Sequence, residues 1–136
     1  MVAIPGAFMK TKILVVEDEL SQREALAEVL SRLGYEVQCA ANGSEALELM
    51  RHSESLPGLI LLDLMMPVMD GWEFRAEQRR DRTLAEVPVV MLSALDDIVE
   101  KALQSGAVGL PKPLQWQALL RVVERFCGTT RPRPGI

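Results

Sequence analysis

One stretch, Leu59-Ile60-Leu61-Leu62-Asp63-Leu64-Met65-Met66-Pro67-Val68-Met69-Asp70-Gly71, constrains the fold of this chain more than any other. Four apolar residues run straight into a single carboxylate, and a loop closed by Pro67 and Asp70-Gly71 follows at once. An unbroken apolar run of this length reads as a strand buried on both faces, which is the habit of parallel sheets. Asp63 then falls at the strand's C-terminal end. In open α/β sheets that edge is where ligands bind.

The same pattern recurs along the chain. Ile13-Leu14-Val15-Val16 is a second buried-strand run, and it ends in Glu17-Asp18-Glu19. Leu26, Val29, Leu30 and Leu33 then recur at i, i+3, i+4 and i+7, one face of a helix that Gly34 stops. Tyr35-Glu36-Val37-Gln38-Cys39 alternates and predicts a strand nearer the sheet edge. Asn42 and Glu45 have the spacing of a capping box for a short helix carrying Ala46, Leu47 and Met50, which ends near His52-Ser53. Trp72 to about Arg80 predicts a polar helix with few apolar positions. Val87 to Leu92 is another buried strand, with Pro88 at its start and Ser93-Ala94 at its end. Asp96 or Asp97 can cap a helix bearing Ile98, Val99, Ala102 and Leu103, with Gly106 as its stop. Ala107 to Leu110 predicts a short fifth strand leading to Pro111-Lys112-Pro113. A last helix shows Trp116, Leu119, Leu120, Val123 and Cys127 at helical spacing.

Five strands alternating with five helices predict an α/β, doubly wound parallel sheet. The flavodoxin-like order 2-1-3-4-5 fits, because the second strand is the least apolar and belongs at an edge. With 136 residues, 49% of them hydrophobic, the chain suits one domain with a real core. Residues 1–9 read as a flexible leader, 10–127 as the domain and 128–136 as a disordered tail. Net charge is -4 and the cations are scattered, which argues against a nucleic-acid partner. No apolar run is long enough to span a bilayer, and the first residues lack the basic and apolar regions of a signal peptide. A cytoplasmic protein without a membrane partner is therefore expected. Cys39 and Cys127 form no metal-type spacing and read as buried, reduced thiols.

The chemistry collects at the strand ends. The first strand delivers Glu17 and Asp18, the third Asp63, the fourth Ser93 and the fifth Lys112. Crowded carboxylates raise one another's pKa unless a cation neutralises them. The set suits Mg²⁺, a hard ion held by one or two carboxylates, with waters and phosphate oxygens completing its octahedron. Simpler roles hold elsewhere: Asp70-Gly71 reads as a turn, Trp72 and Phe74 as packing residues, and His52 as solvated. Glu17 and Asp18 taken alone could simply cap the first helix.

Ile13 to Glu19, Asp63 to Gly71 and Lys112-Pro113, in this order on strand ends, resemble the receiver domain of two-component response regulators, in the single-domain form of chemotaxis regulators. The resemblance covers about residues 10 to 127. It implies that Asp63 accepts a phosphoryl group from a sensor histidine kinase or a phosphotransfer protein. It implies that Asp18 and Glu17 hold Mg²⁺, joined by Asp63 and the Met65 backbone carbonyl. Lys112 would bind a phosphoryl oxygen, Ser93 would donate to the attached group, and the Lys112-Pro113 bond would be cis. The implied protein is a stand-alone phosphoacceptor that signals through contacts with a protein target. It is not a conventional enzyme, because it catalyses only its own phosphoryl transfer.

Several positions depart from the family pattern. Glu17 stands where aspartate is commoner, and the segment from Ser93 to Lys112 is about three residues short. The family's switch aromatic, three places before the lysine, is absent: Gly109 sits there, or the position is deleted. Any signal is then expected to pass through the loop after Ser93. Met65 and Leu95 fill the two positions that govern water's access to the phosphoryl group, and their bulk predicts slow hydrolysis. The alternative is a degenerate receiver acting as a phosphorylation-independent binding module. A small phosphohydrolase fits poorly, because Met65 stands where a second aspartate would be needed.

Overall fold

The computed structural model describes residues 11–128. The leader expected over 1–9, and all but the first residue of the tail expected over 128–136, lie outside the described residues. The strands are β1 (Lys12–Val16), β2 (Glu36–Ala40), β3 (Leu59–Asp63), β4 (Val89–Ser93) and β5 (Val108–Pro111). Every pairing is parallel, and the order is β2-β1-β3-β4-β5, as the apolar runs predict. β1, β3 and β4 are buried along their whole length, whereas β2 and β5 form the partly exposed edges.

The pleat divides each central strand between two cores. Leu14, Val16, Ile60 and Leu62 face helices α2 (Gly43–Arg51), α3 (Gly71–Arg80) and α4 (Ile98–Gln104), in a core centred on Phe74 and Leu64. Ile13, Val15, Leu59 and Leu61 face α1 (Leu20–Arg32) and α5 (Trp116–Cys127), through Leu26, Leu30, Leu119 and Val123. Each central strand thus carries four consecutive apolar residues because it has helices on both faces. Among the described residues, no helix is long and apolar enough to cross a membrane.

The helix starts depart from expectation in instructive ways. Glu19, rather than Glu17 or Asp18, caps α1, accepting from the N–H groups of Ser21 and Gln22. That leaves the two preceding acids for other work. Asn42 caps α2 by accepting from Glu45 N at 2.9 Å, but Glu45 Oε1 reaches Ala41 N, so the box is displaced by one residue. The reciprocal box lies instead at α3, between Asp70 and Glu73. Asp97 precedes α4 without a capping hydrogen bond, because its carboxylate turns to Lys101 Nζ at 3.3 Å. Gly34 and Gly106, at positive φ, end α1 and α4 as expected.

α3 is anchored by polar residues. Its buried side carries Phe74, Arg75 and Gln78, and Gln78 is 0% exposed. Gln78 Nε2 donates to the carbonyls of Leu84 and Val87 at 3.0 and 2.9 Å, holding the loop that leads to β4. Arg75 donates to Gln78 Oε1 at 2.8 Å and twice to the Ser105 carbonyl at the C-terminus of α4. A buried guanidinium is stabilised there by the negative end of a helix.

On α4, Ile98 and Ala102 are buried, while Val99 and Leu103 are 58% and 74% exposed. The four-residue apolar face expected of this helix is therefore half in solvent. The reason lies in β5. A Cβ built on Gly109 would stand 2.5 Å from the Ile98 carbonyl oxygen and 3.0 Å from Ala102 Cβ. The backbone of α4 rests directly on β5 at Gly109, which leaves room for only a narrow contact.

Candidate functional site

The site is assembled at the C-terminal ends of β1, β3, β4 and β5. Strand register brings these ends level, with Val16 opposite Leu62, Asp63 opposite Leu92 and Ser93 opposite Pro111. Glu17 continues β1 by donating its N–H to the Ala40 carbonyl at 3.0 Å. Its Oε2 accepts from Glu19 N at 3.2 Å. Arg23 Nη1 holds the turn from below, donating to the carbonyls of Glu17 at 2.8 Å and Asp18 at 3.4 Å.

Asp63 ends β3, and its Oδ1 accepts from Met65 N at 3.3 Å. The loop beyond is fixed closely. Gly71 N donates to the Leu64 carbonyl at 3.0 Å, and a Cβ on Gly71 would lie 2.8 Å from Leu64 Cα. Glycine is required here so that α3 can begin against the residue following Asp63. Ser93 accepts through Oγ from Leu95 N at 3.1 Å, which leaves the hydroxyl proton for another acceptor. Lys112 N donates to the Ser93 carbonyl at 2.9 Å, and the Lys112-Pro113 bond is cis, as expected.

These constraints converge. Lys112 Nζ stands 3.4 Å from both Glu17 Oε1 and Asp63 Oδ1. Carboxylate oxygens of Glu17, Asp18 and Asp63 lie within 4.8 Å of one another. Glu17 and Asp63 are buried, while Asp18 is exposed. Burial, and secondarily the neighbouring Asp63, push the Glu17 carboxyl up to about 7, against the opposing pull of the Glu19 N–H and Lys112. Three crowded oxygen ligands with one shared ammonium are a donor set suited to a hard divalent cation. Met65, expected to add its carbonyl, lies next to Asp63 in the loop.

The raised Glu17 value carries a sign. A carboxyl that binds its proton more tightly in the folded chain stabilises it fully below the unfolded value of 4.5, and this contribution is lost as pH rises to about 7. In chelator, stability is expected to fall by about 2 kcal/mol across that window, allowing for solvent screening at the open edge. Urea denaturation at stepped pH checks this, and Glu17→Gln should flatten the slope.

Two features escaped the sequence reading. Gln22, in the first turn of α1, accepts from Lys112 Nζ at 3.2 Å, a shorter contact than either carboxylate makes. A signal for it existed. Gln22 lies four and eight residues before Leu26 and Leu30, so it is a polar residue at an apolar position of the helix period. The second is a cleft of about 340 Å³ beside Lys112, lined by Gln22, Leu26, Pro113, Leu114 and Trp116 among others. Trp116, expected to pack with the α5 face, is 43% exposed at its rim. Cys39 and Cys127 are free but only half buried, with both thiols pushed up by burial, Cys127 to about 11. Phe74 is fully buried, Trp72 packs against the same core, and His52 is exposed at the end of α2, all as expected.

A five-stranded 2-1-3-4-5 sheet whose C-terminal edge gathers carboxylates, a serine and a lysine followed by a cis proline defines the receiver class of signalling domain. The profile of the response regulator receiver domain matches residues 13–124, and the chain belongs to that family. It is 43% identical over 100 residues to a probable transcriptional regulator, ycf27, of Cyanophora paradoxa, covering 72% of this chain and 40% of that protein. It is 37% identical over 130 residues to the response regulator MprA of a Mycobacterium species, covering 93% of this chain and 55% of that protein. The chain thus spans about half the length of the curated relatives it matches.

Among solved structures, chemotaxis protein CheY4 of Vibrio cholerae superposes with a TM-score of 0.76 at 32% identity, covering 87% of this chain and 99% of that one. The receiver domain of sensor histidine kinase PA1611 from Pseudomonas aeruginosa, solved with a magnesium ion in its active-site cleft, gives 0.76 at 31% identity, covering 89% and 100%. Receiver domains are signalling domains that bind Mg²⁺ at an acidic site and take phosphoryl groups from histidine kinases.

Proposed function

We propose that this chain is a Mg²⁺-dependent phosphoacceptor whose acceptor is Asp63. The observation that carries the reading is the position of Lys112 Nζ, 3.4 Å from both the Asp63 and Glu17 carboxylates, beside a third carboxylate on Asp18. An Asp63 oxygen attacks phosphorus in line, the bond from phosphorus to the donor breaks (P–N in a phosphohistidine, P–O in acetyl phosphate), and the donor leaves with the bonding electron pair. Such a transfer passes through a loose transition state, so the protein's task is alignment and neutralisation of oxygen charge. Glu17, Asp18, Asp63 and the Met65 carbonyl would hold Mg²⁺, which supplies charge neutralisation at the transferring group. Lys112 takes a phosphoryl oxygen, and the Ser93 hydroxyl, which accepts from Leu95 N through one lone pair, keeps its proton to donate to the attached group. The donor is a sensor histidine kinase or a phosphotransfer protein, and the output is a contact with a protein target.

The test is incubation of the full chain with Mg²⁺ and acetyl phosphate, with Asp63→Asn alongside. An acid-labile gain of one phosphoryl mass in the parent alone supports the acceptor. No gain in either favours a second reading, a phosphorylation-independent binding module. That alternative draws on Gly109, where the backbone of α4 leaves no room for even a Cβ and no aromatic ring is present.

Persistence of the phosphorylated state follows from the site's rim. Met65 and Leu95 flank the reacting carboxylate and hydroxyl, anchored by their N–H groups to Asp63 and Ser93. Both side chains are bulky and apolar and stand at the open rim, 69% and 40% exposed, and the slow hydrolysis expected rests on their bulk there. The acyl phosphate is expected to survive for minutes or longer in purified protein, followed by acid-labile mass; loss within seconds contradicts this.

A further inference from the structure

We propose that Gln22 is a positioning residue for Lys112, holding the third N–H of its ammonium until a phosphoryl oxygen takes it. The inference rests on the phosphoacceptor reading of Asp63 and concerns how the lysine is kept ready. A lysine ammonium has three N–H donors and no acceptor. Three oxygens stand around Lys112 Nζ: Gln22 Oε1 at 3.2 Å, Glu17 Oε1 at 3.4 Å and Asp63 Oδ1 at 3.4 Å. Donors and acceptors match one to one.

The three acceptors are not equivalent. Glu17 and Asp63 are buried carboxylates with side chains only 3% and 6% exposed. Gln22 is a neutral amide on an exposed helical turn. Hydrogen bonds to ionised acceptors are roughly twice as strong as neutral ones. When a phosphoryl group joins Asp63, its oxygens compete for the lysine's donors, and the neutral amide is the partner displaced at least cost. Gln22 therefore steers the ammonium in the resting protein and yields it in the phosphorylated one.

The exchange also gives phosphorylation a mark on α1. Gln22 lines the same cleft as Glu17, Lys112, Leu26, Leu114 and Trp116, so its release alters that cleft's wall. This route runs on the opposite face of the sheet from the α4 contact at Gly109.

The test uses the ¹⁵N-labelled 136-residue chain and the side-chain amide signal of Gln22, assigned by its disappearance in Gln22→Met. Spectra are recorded without donor, after Mg²⁺ and acetyl phosphate, and for unphosphorylated Lys112→Met, with acid-labile mass measured on each sample. The expected result is that phosphorylation moves the Gln22 signal toward its position in Lys112→Met. In parallel, Gln22→Met should slow phosphorylation about fivefold in the parent, the worth of one ordinary hydrogen bond, and leave the residual rate of Lys112→Met unchanged. A phosphoryl mass gain with an unmoved Gln22 signal overturns the role of Gln22 and leaves the acceptor reading intact. Equal slowing by Gln22→Met in both backgrounds also overturns it, because the effect would not pass through Lys112. Absence of any mass gain overturns both readings.

Discussion

Gly109→Tyr is expected to destabilise the folded chain by about 3 kcal/mol or more, not to reinstate a switch. The family resemblance implies an aromatic ring three places before the lysine, so the substitution looks like a repair. The geometry opposes it. Even a methyl group at residue 109 would lie 2.5 Å from the Ile98 carbonyl oxygen and 2.9 Å from its carbon. Those atoms belong to the backbone of α4, which cannot rotate away as a side chain tip would. α4 is further held at its C-terminus by Arg75, through the Ser105 carbonyl at 2.8 and 3.2 Å. Overpacking a fitted contact costs about 1–3 kcal/mol for small additions and more when the backbone must move. Gly109→Ala should therefore fall in that lower range and Gly109→Tyr beyond it, read as midpoint shifts in urea denaturation. Unchanged stability in Gly109→Tyr would mean that α4 moves aside freely.

The second large effect lies far from the strand edge. Gln78→Leu is expected to cost about 3–5 kcal/mol, although leucine nearly conserves volume and raises hydrophobicity. Gln78 Nε2 satisfies two carbonyls, Leu84 and Val87, and its Oε1 accepts from the buried Arg75. Leucine leaves the Val87 carbonyl and one guanidinium donor without partners and takes one of two donors from the Leu84 carbonyl, which keeps Val87 N at 3.2 Å; each orphaned buried group costs about 1–3 kcal/mol. Denaturation of Gln78→Leu beside Gln78→Glu checks this. The glutamate variant keeps an acceptor for Arg75 but loses both donors, so it should also be impaired.

These two sites show why parts of the fold were hidden in the sequence. The three central strands were legible because burial on both faces leaves continuous apolar runs, and the order followed from the weak apolarity of Glu36 to Ala40. The edge residues Glu17, Asp18, Asp63, Ser93 and Lys112 were legible because each ends such a run. α3 looked merely polar because its buried side uses Arg75 and Gln78, whose hydrogen bonds to carbonyls leave no trace in hydropathy. α4 misled in the opposite sense. Val99 and Leu103 have helical spacing with Ile98 and Ala102, but the close seat on Gly109 leaves them in solvent. Gln22 was overlooked for a related reason: it is exposed, and a polar side chain in the first turn of a helix is given a role only by its partner, here Lys112.

The account's central claim is that Asp63 itself receives the phosphoryl group. Borohydride reduction of the chain after incubation with Mg²⁺ and acetyl phosphate addresses it directly, since an aspartyl phosphate is reduced to homoserine at the modified position. Peptide mass analysis should then find homoserine at residue 63 and nowhere else, with none formed when Mg²⁺ is chelated. Homoserine at Asp18, or an unreduced residue 63 in a chain that has gained phosphoryl mass, would contradict the assignment.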